Sequence, residues 1–325
     1  MNNAKKNEPN GYGSNATESV PSATAWWCPH ALRTYVSALR PWSFSVSLTP
    51  VVLGSCLAFK TVGSFSVIVF IVTCMTALAV HAAGNVVNTY FDYVRGVDTK
   101  KSDDRTLVDG CMEPSAVASL GGILYLIGCA GLLVLVFISP ASLEHLALVY
   151  FGGLSSSFLY TGGLGLKYIA LGDIVIFLTF GPLTVLFAYL SQAGSLSWIP
   201  LVYAIPLAFN TEAILHSNNT RDMESDKQAG IITLAIIIGR TASYVLFTFL
   251  LFTPYVIFTV IALHFSRWFI LPLLTIFVTF KFEREFRRGS LSNMPHMMAV
   301  LNMKLGLLYT LACGLADVKY LPGFQ

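Results

Sequence analysis

The sequence predicts an all-α integral membrane protein with nine transmembrane helices. Three observations carry that reading. The chain is 55% hydrophobic and 11% charged, with 23 Phe and 14 Tyr spread through long uncharged runs, more apolar surface than a soluble core can hide. Its Lys and Arg fall unevenly between alternate loops, as membrane topology requires. Its acids are concentrated instead of dispersed, with five Asp in the 25 residues from Asn85 to Asp109.

Taken in order, residues 1–34 are polar and rich in Asn, Ser, Thr and Pro, and read as a disordered tail. No apolar core follows Lys5 and Lys6, as a signal peptide would need. The late first Arg, Arg33, and the acids Glu8 and Glu18 do not fit a mitochondrial transit peptide. Charge-free runs then bound the spans at 41–59, 61–91, 114–143, 146–166, 174–211 (two helices, broken around Gln192 to Pro200), 241–266, 268–280 and a last helix near 297–316. Arg267 shortens the eighth span and Lys304 interrupts the ninth; packing or snorkelling accommodates both. Residues 35–316 are expected to form the transmembrane domain, leaving 317–325 as a short lumenal tail.

With nine spans, 17 of the 20 Lys and Arg lie with the amino terminus, and only Lys60, Arg267 and Lys319 lie opposite. That bias predicts a cytosolic amino terminus and a lumenal carboxyl terminus. It also leaves the sequons at Asn15 and Asn218 on the cytosolic side, unmodified.

The same topology puts two acidic clusters on one membrane face, at the ends of the second and sixth spans. Residues four apart share a helix face. Asn88 therefore stacks on Asp92, and Asn218, Asp222 and Asp226 form a second stack. Each is followed by Thr-Leu, at Thr106 and Thr233, an echo that suggests a four-helix unit used twice. A single acidic cluster is ordinarily a solvated turn or a helix cap. Two alike on one face, each with an Asn one turn upstream, argue for a site. Carboxylates that repel one another are relieved by a divalent cation, and an all-oxygen donor set suits Mg²⁺ held together with substrate phosphates. The expected ligand is a diphosphate.

Asn88-x₃-Asp92-x₅-Asp98 and Asp222-x₃-Asp226 resemble the two aspartate-rich motifs of the UbiA superfamily of intramembrane prenyltransferases. Lys101-Ser-Asp-Asp-Arg-Thr-Leu-Val-Asp109, Tyr160-Thr-Gly-Gly163, Gly165-Leu-Lys167-Tyr168 and Asn218-Asn-Thr-Arg-Asp222 are similar to its animal, menaquinone-4-forming branch. The resemblance covers roughly residues 35–316. It implies a helical bundle around a central cavity open sideways to lipid, with a Mg²⁺-bound prenyl diphosphate under cytosolic cap segments.

By the same resemblance, Asn88, Asp92 and Asp98 would hold one Mg²⁺ group and Asn219, Asp222 and Asp226 the other. Lys167 and Tyr160 would meet the diphosphate or the aromatic substrate, although Lys167 taken alone reads as a positive-inside anchor. Arg105 and Arg221 are candidate phosphate ligands, being planar donors suited to bidentate contact, and Asn218 joins the substrate-binding set. Asp103 and Asp104 could ligate metal, cap a helix or stay solvated. His81 and Glu212 lie inside spans, where ionisable groups are often functional; Glu212 is placed to face the cavity, and His81 reads equally as a packing residue.

The resemblance further implies geranylgeranyl diphosphate as donor and a naphthoquinol such as menadiol as acceptor, making menaquinone-4 (vitamin K2). Alternatives are prenylation of 4-hydroxybenzoate, or a prenyl-diphosphate sensor that docks the sterol-synthesis reductase. The expected location is the endoplasmic reticulum or Golgi, with a mitochondrial membrane as the other option. The six Cys have no metal spacing, and neither a Rossmann glycine pattern, a P-loop nor HExxH occurs, which removes nucleotide and redox chemistry. A transporter is disfavoured because the acids sit at one face and not near the midplane; nothing suggests nucleic acid.

Overall fold

The computed structural model describes residues 29–98 and 104–324; the predicted disordered tail and Asp103 lie outside them, apart from the tail's last residues. A short helix, α1 (Pro29–Ala38), leads through a 3₁₀ turn at Pro41–Phe44 into α2 (Ser45–Val62). Then come α3 (Val67–Val94), α4 (Pro114–Ile138), α5 (Leu143–Thr161), α6 (Gly172–Leu178), α7 (Thr184–Ala193) and α8 (Ile199–Arg221). The chain continues through α9 (Met223–Gln228), α10 (Leu234–His264), α11 (Ile270–Leu273), α12 (Ile276–Arg287) and α13 (Met294–Leu315). Among the described residues the sole β pairing is a parallel bridge between Ile169 and Ile232.

Local chemistry sets the helix ends. Ser66, Ser142 and Thr233 cap α3, α5 and α10 by accepting from backbone N–H groups, and Pro114 opens α4, where a missing N–H costs nothing. The predicted break between the fifth and sixth spans falls between Ala193 and Ile199. Within α10, Gly239 adopts φ 76° and interrupts the helix. Between α6 and α7 a π-helical turn, Thr179–Leu183, contains Pro182.

Seven segments among the described residues are long and apolar enough to cross a bilayer: Pro41–Val62, Val67–Val94, Pro114–Ile138, Gly172–Ala193, Ile199–Arg221, Leu234–His264 and Met294–Leu315. The predicted fourth span is α5, more polar because of Glu144, His145 and the serines 155–157. The predicted eighth is broken into α11 and α12. Length and apolarity alone therefore identify seven of the nine predicted spans.

Packing follows the absence of water. Phe137, Leu263, Leu126 and Leu148 stand exposed on the outer faces, as lipid contact allows. The span containing α8 is the most enclosed, 67% buried, and α4 the least, 22%. Its strategic position lets α8 pack on α10, α13 and α6 and end in the second acidic cluster. The carboxyl-terminal residues fold back on the bundle, with Leu321 buried and the Tyr203 hydroxyl donating to the Pro322 carbonyl at 3.0 Å.

Candidate active site: a cavity with both acidic clusters at its mouth

One cavity of about 420 Å³ is lined by both clusters. Asn88, Asp92 and Asp98 come from the end of α3, and Asn218, Asn219, Asp222 and Asp226 from the end of α8 and from α9. Tyr160, Lys167, Arg105, Arg221 and His81 also line it. The two clusters thus meet in one cavity. Of the residues expected at the site, Glu212 alone is not in the lining. Thr211, Leu215, Asn218 and Asp222 form the cavity stripe of α8, and Glu212 falls on the neighbouring stripe.

Asp92 is the hub of the first cluster. Its Oδ2 accepts from Lys167 Nζ at 2.6 Å and from Asn88 Nδ2 at 2.9 Å, and its Oδ1 accepts from the Tyr168 hydroxyl at 2.8 Å. Lys167 also donates to Asn88 Oδ1 at 3.1 Å. Burial first, then the Asp92 carboxylate, pushes the Tyr168 hydroxyl above its ordinary pKa.

A tight turn presents Lys167 and Tyr168. Gly165 sits at φ 61°, and a Cβ there would lie 2.7 Å from Tyr168 Cδ2 and 3.1 Å from Arg95 Nη2; only glycine fits both the backbone and the space. The Arg95 guanidinium lies 4.2 Å over the Tyr168 ring. From the same turn the Tyr168 carbonyl accepts from Ile232 N at 3.2 Å, tying the Lys167 turn to the chain that follows the second cluster.

In that cluster Arg221 forks onto Asp222, with Nε to Oδ1 and Nη2 to Oδ2 both at 2.7 Å, and Nη2 reaches Asn218 Oδ1 at 2.8 Å. The Asp226 N–H returns to the Asp222 carbonyl at 2.9 Å.

One residue of the site was not legible in advance. Arg40, in the left-handed region at φ 53°, lines the cavity and donates to Asp104 Oδ2 at 2.7 Å and to Thr89 Oγ1 at 3.3 Å. Although burial works against it, this guanidinium, with the Thr89 hydroxyl and the Thr106 N–H, holds the Asp104 carboxyl well below the usual carboxylate range. Asp104 is therefore a structural anchor for the segment above the cavity. Arg105, by contrast, pairs with Asp109 at the surface.

The remaining acids are under-compensated. Burial, then Asp92 and Asp104, pushes the Asp98 carboxyl up to about 7. Burial, with Asp222 and Asp92 outweighed in part by Lys167, pushes Asp226 up to about 6. Such acids, with carboxylate and amide oxygens around them, suit a hard cation that would keep them ionised. No three His, Cys, Asp or Glu side chains among the described residues converge tightly enough to hold a bare ion. Asp92 and Asp222 are meanwhile engaged by Lys167 and Arg221. The donor set fits a cation that arrives with its own oxygen ligands, as a metal diphosphate does.

Residues 47–308 match the UbiA prenyltransferase family. The mouse UbiA prenyltransferase domain-containing protein 1 is 58% identical over 293 residues, covering 90% of this chain and 87% of that protein. The Drosophila melanogaster homolog is 57% identical over 285 residues, 87% of this chain and 79% of the homolog. Among solved structures, a UbiA homolog from Archaeoglobus fulgidus bound to DMAPP and Mg²⁺ superposes with a TM-score of 0.63 at 17% identity, covering 86% of this chain and 97% of that one. An apo UbiA homolog from Aeropyrum pernix K1 gives 0.65 at 13% identity, covering 81% and 96%.

Proposed function

This chain belongs to the UbiA prenyltransferase family, and on that premise we propose that it transfers a geranylgeranyl-type chain from its diphosphate to a naphthoquinol such as menadiol, forming menaquinone-4. The chain is a prenyltransferase by family; the donor length and the aromatic acceptor are the proposal. The observation that supports it is a single cavity with cations and acids at its mouth and Val46, Val175, Ile176, Phe180, Ile214 and Leu215 in its wall. A diphosphate head on an apolar tail matches that polarity.

Asn88, Asp92 and Asp98, with Asn219, Asp222 and Asp226, would hold Mg²⁺, which supplies positive charge against the diphosphate when bound. Lys167 and Arg221 are placed to donate to the departing oxygens, where charge develops as the allylic C–O bond breaks. The chain's aromatic wall keeps bulk water from the allylic cation: the His81 ring lies 4.8 Å from that of Phe180 and 5.5 Å from that of Phe44. Ser43 and Ser47 bond the two His81 nitrogens at 3.2 and 2.7 Å.

A neutral acceptor suits the charge balance. Among the described residues every Lys and Arg in the lining is paired with a carboxylate: Arg40 with Asp104, Arg105 with Asp109, Lys167 with Asp92 and Arg221 with Asp222. Lys167 and Arg221, once their acids turn to Mg²⁺, are taken up by the diphosphate, and none is then left over for the carboxylate of 4-hydroxybenzoate. The test is turnover by the purified full-length protein with menadiol and 4-hydroxybenzoate, each against geranylgeranyl and longer diphosphates; preference for the benzoate would overturn the naphthoquinol reading. The charge bias supports a mouth on the cytosolic side, and the membrane we propose is that of the endoplasmic reticulum or Golgi. A sequon in a lengthened loop near Ser142 should then be glycosylated and Asn15 left bare.

A further inference from the structure

Behind the cavity wall lies a second group of titratable side chains that the reading above does not use. Asp173 stands in the first turn of α6, and Glu212 and His216 are one turn apart on α8; their exposures are 6, 5 and 0%. His216 Nε2 lies 3.1 Å from the Ser243 carbonyl oxygen. A carbonyl can only accept, so the proton sits on Nε2 and Nδ1 is left facing Asp173 Oδ1 at 3.6 Å.

The Glu212 carboxyl faces that of Asp173. Both Glu212 oxygens, Asp173 Oδ1 and His216 Nδ1 are buried without a hydrogen-bond donor or acceptor in place. With no added proton the group would be two adjacent anions and a bare nitrogen lone pair in a dry interior, a state the desolvation cost forbids. Protons must be shared within it, and it is not a metal site, since no such trio among the described residues can hold an ion.

Tyr160 connects this group to the cavity. Its ring packs on Gly172, where a Cβ would lie 3.1 Å from Tyr160 Cε2 and 3.7 Å from the hydroxyl, and the residue itself lines the cavity. Gly172 immediately precedes Asp173 in the first turn of α6, so the Tyr160 ring lies beside the residue that opens the buried group.

We infer that Asp173, Glu212 and His216 are the proton acceptor of the prenyl transfer, reached from the cavity through the Tyr160 hydroxyl. The inference rests on an aromatic acceptor but not on which one. The allylic C–O bond breaks and its electron pair leaves with the diphosphate. An aromatic carbon supplies the pair for the new C–C bond. The C–H bond at that carbon then breaks, returning its pair to the ring, and the proton passes to the Tyr160 oxygen as the phenol's own proton passes to the Asp173–Glu212 pair. The stored proton is lost to water between turnovers, and no oxidant or reductant is required. Tyr160 is the group that meets substrate; the three behind it act through it.

The experiment separates ionisation from proton loss. Diphosphate release and prenylated product are measured side by side in the purified full-length protein, for wild type, Glu212→Gln and Asp173→Asn, with whichever of menadiol or 4-hydroxybenzoate the wild type prenylates. A parallel series uses an acceptor deuterated at the attacked carbon. Diphosphate released per prenylated product should rise on the order of a hundredfold in either variant, the scale of a lost proton-transfer partner, with water-captured prenol making up the difference. The deuterium effect should grow beyond its wild-type value. Tyr160→Phe should shift the same ratio in the same direction. A ratio and a deuterium effect that stay at wild-type values in the folded variants, whatever their rates, would overturn the proton route while leaving the prenyltransferase reading intact. Failure of the wild type to prenylate either acceptor would remove both.

Discussion

Lys167 Nζ lies 2.6 Å from Asp92 Oδ2 although 75 residues separate them in the chain. That pair joins the turn after α5 to the end of α3. It also gives the carboxylate a cationic partner when no substrate is present, and frees an ammonium when the carboxylate turns to another cation.

Replacing Asp92 or Asp222 with Asn keeps shape but removes a charge. Each should lower kcat by roughly a hundredfold or more, about 3 kcal/mol of transition-state stabilisation. Asp109→Asn is the control, because Asp109 only pairs with Arg105 at the exposed surface, where such pairs contribute little. Near-normal turnover of well-expressed Asp92→Asn at saturating Mg²⁺ would remove the two-cluster reading.

Chelation by EDTA should abolish turnover, and Mg²⁺ or Mn²⁺ should restore it. The metal requirement should also depend on pH. Asp98 and Asp226 titrate at about 7 and about 6, raised above ordinary carboxyl values. Below those values they carry protons that a cation must displace. The Mg²⁺ concentration for half-maximal rate should therefore climb as pH is lowered from about 8 through 7 to 6. Without metal the sign for stability is opposite: the folded state binds protons more readily than the unfolded chain, so thermal stability should decline as pH rises towards 7 and Mg²⁺ should recover it. A metal requirement flat across this range would contradict the assignment of those two acids.

Arg40→Ala leaves Asp104 buried with only the Thr89 hydroxyl and the Thr106 N–H. The loss should be about 2 kcal/mol, the cost of stranding a buried polar partner, seen as a lower melting midpoint and faster proteolysis within residues 104–113. Arg40→Lys should recover part of it, and equal stability of Arg40→Ala and wild type would show that the anchor does nothing.

Gly165→Ala should fold yet fail in catalysis. The added Cβ meets Tyr168 and Arg95 and strains a left-handed residue, which moves Lys167 away from Asp92. An alanine enzyme with wild-type kcat/KM would show that the turn tolerates what its geometry forbids.

Spacing made the clusters legible, because residues four apart on a helix must share a face, and the charge-free runs marked the long helices. Glu212 was misjudged as cavity-facing because its distance from Asn218 is six residues, which is neither three, four nor seven; it lies with His216 on the stripe that packs towards α6. Arg40 could not be found by pattern. Its role depends on a left-handed backbone and on a partner 64 residues away, both properties of the folded chain. The division of the predicted eighth span was equally hidden, since hydropathy records apolarity and not continuity.

The π-helical turn at Thr179–Leu183 fixes the phase of everything after it. One surplus residue within a helix rotates the following turns by about 100° relative to an uninterrupted one, so α6 can offer Asp173 to α8 while α7 offers Val185, Ala188 and Tyr189 to α2. Loss of a single codon there would swing the whole lower half of the span, carrying Phe180 away from His81 and Gly181 away from Ala208, and would turn lipid-facing side chains into the bundle.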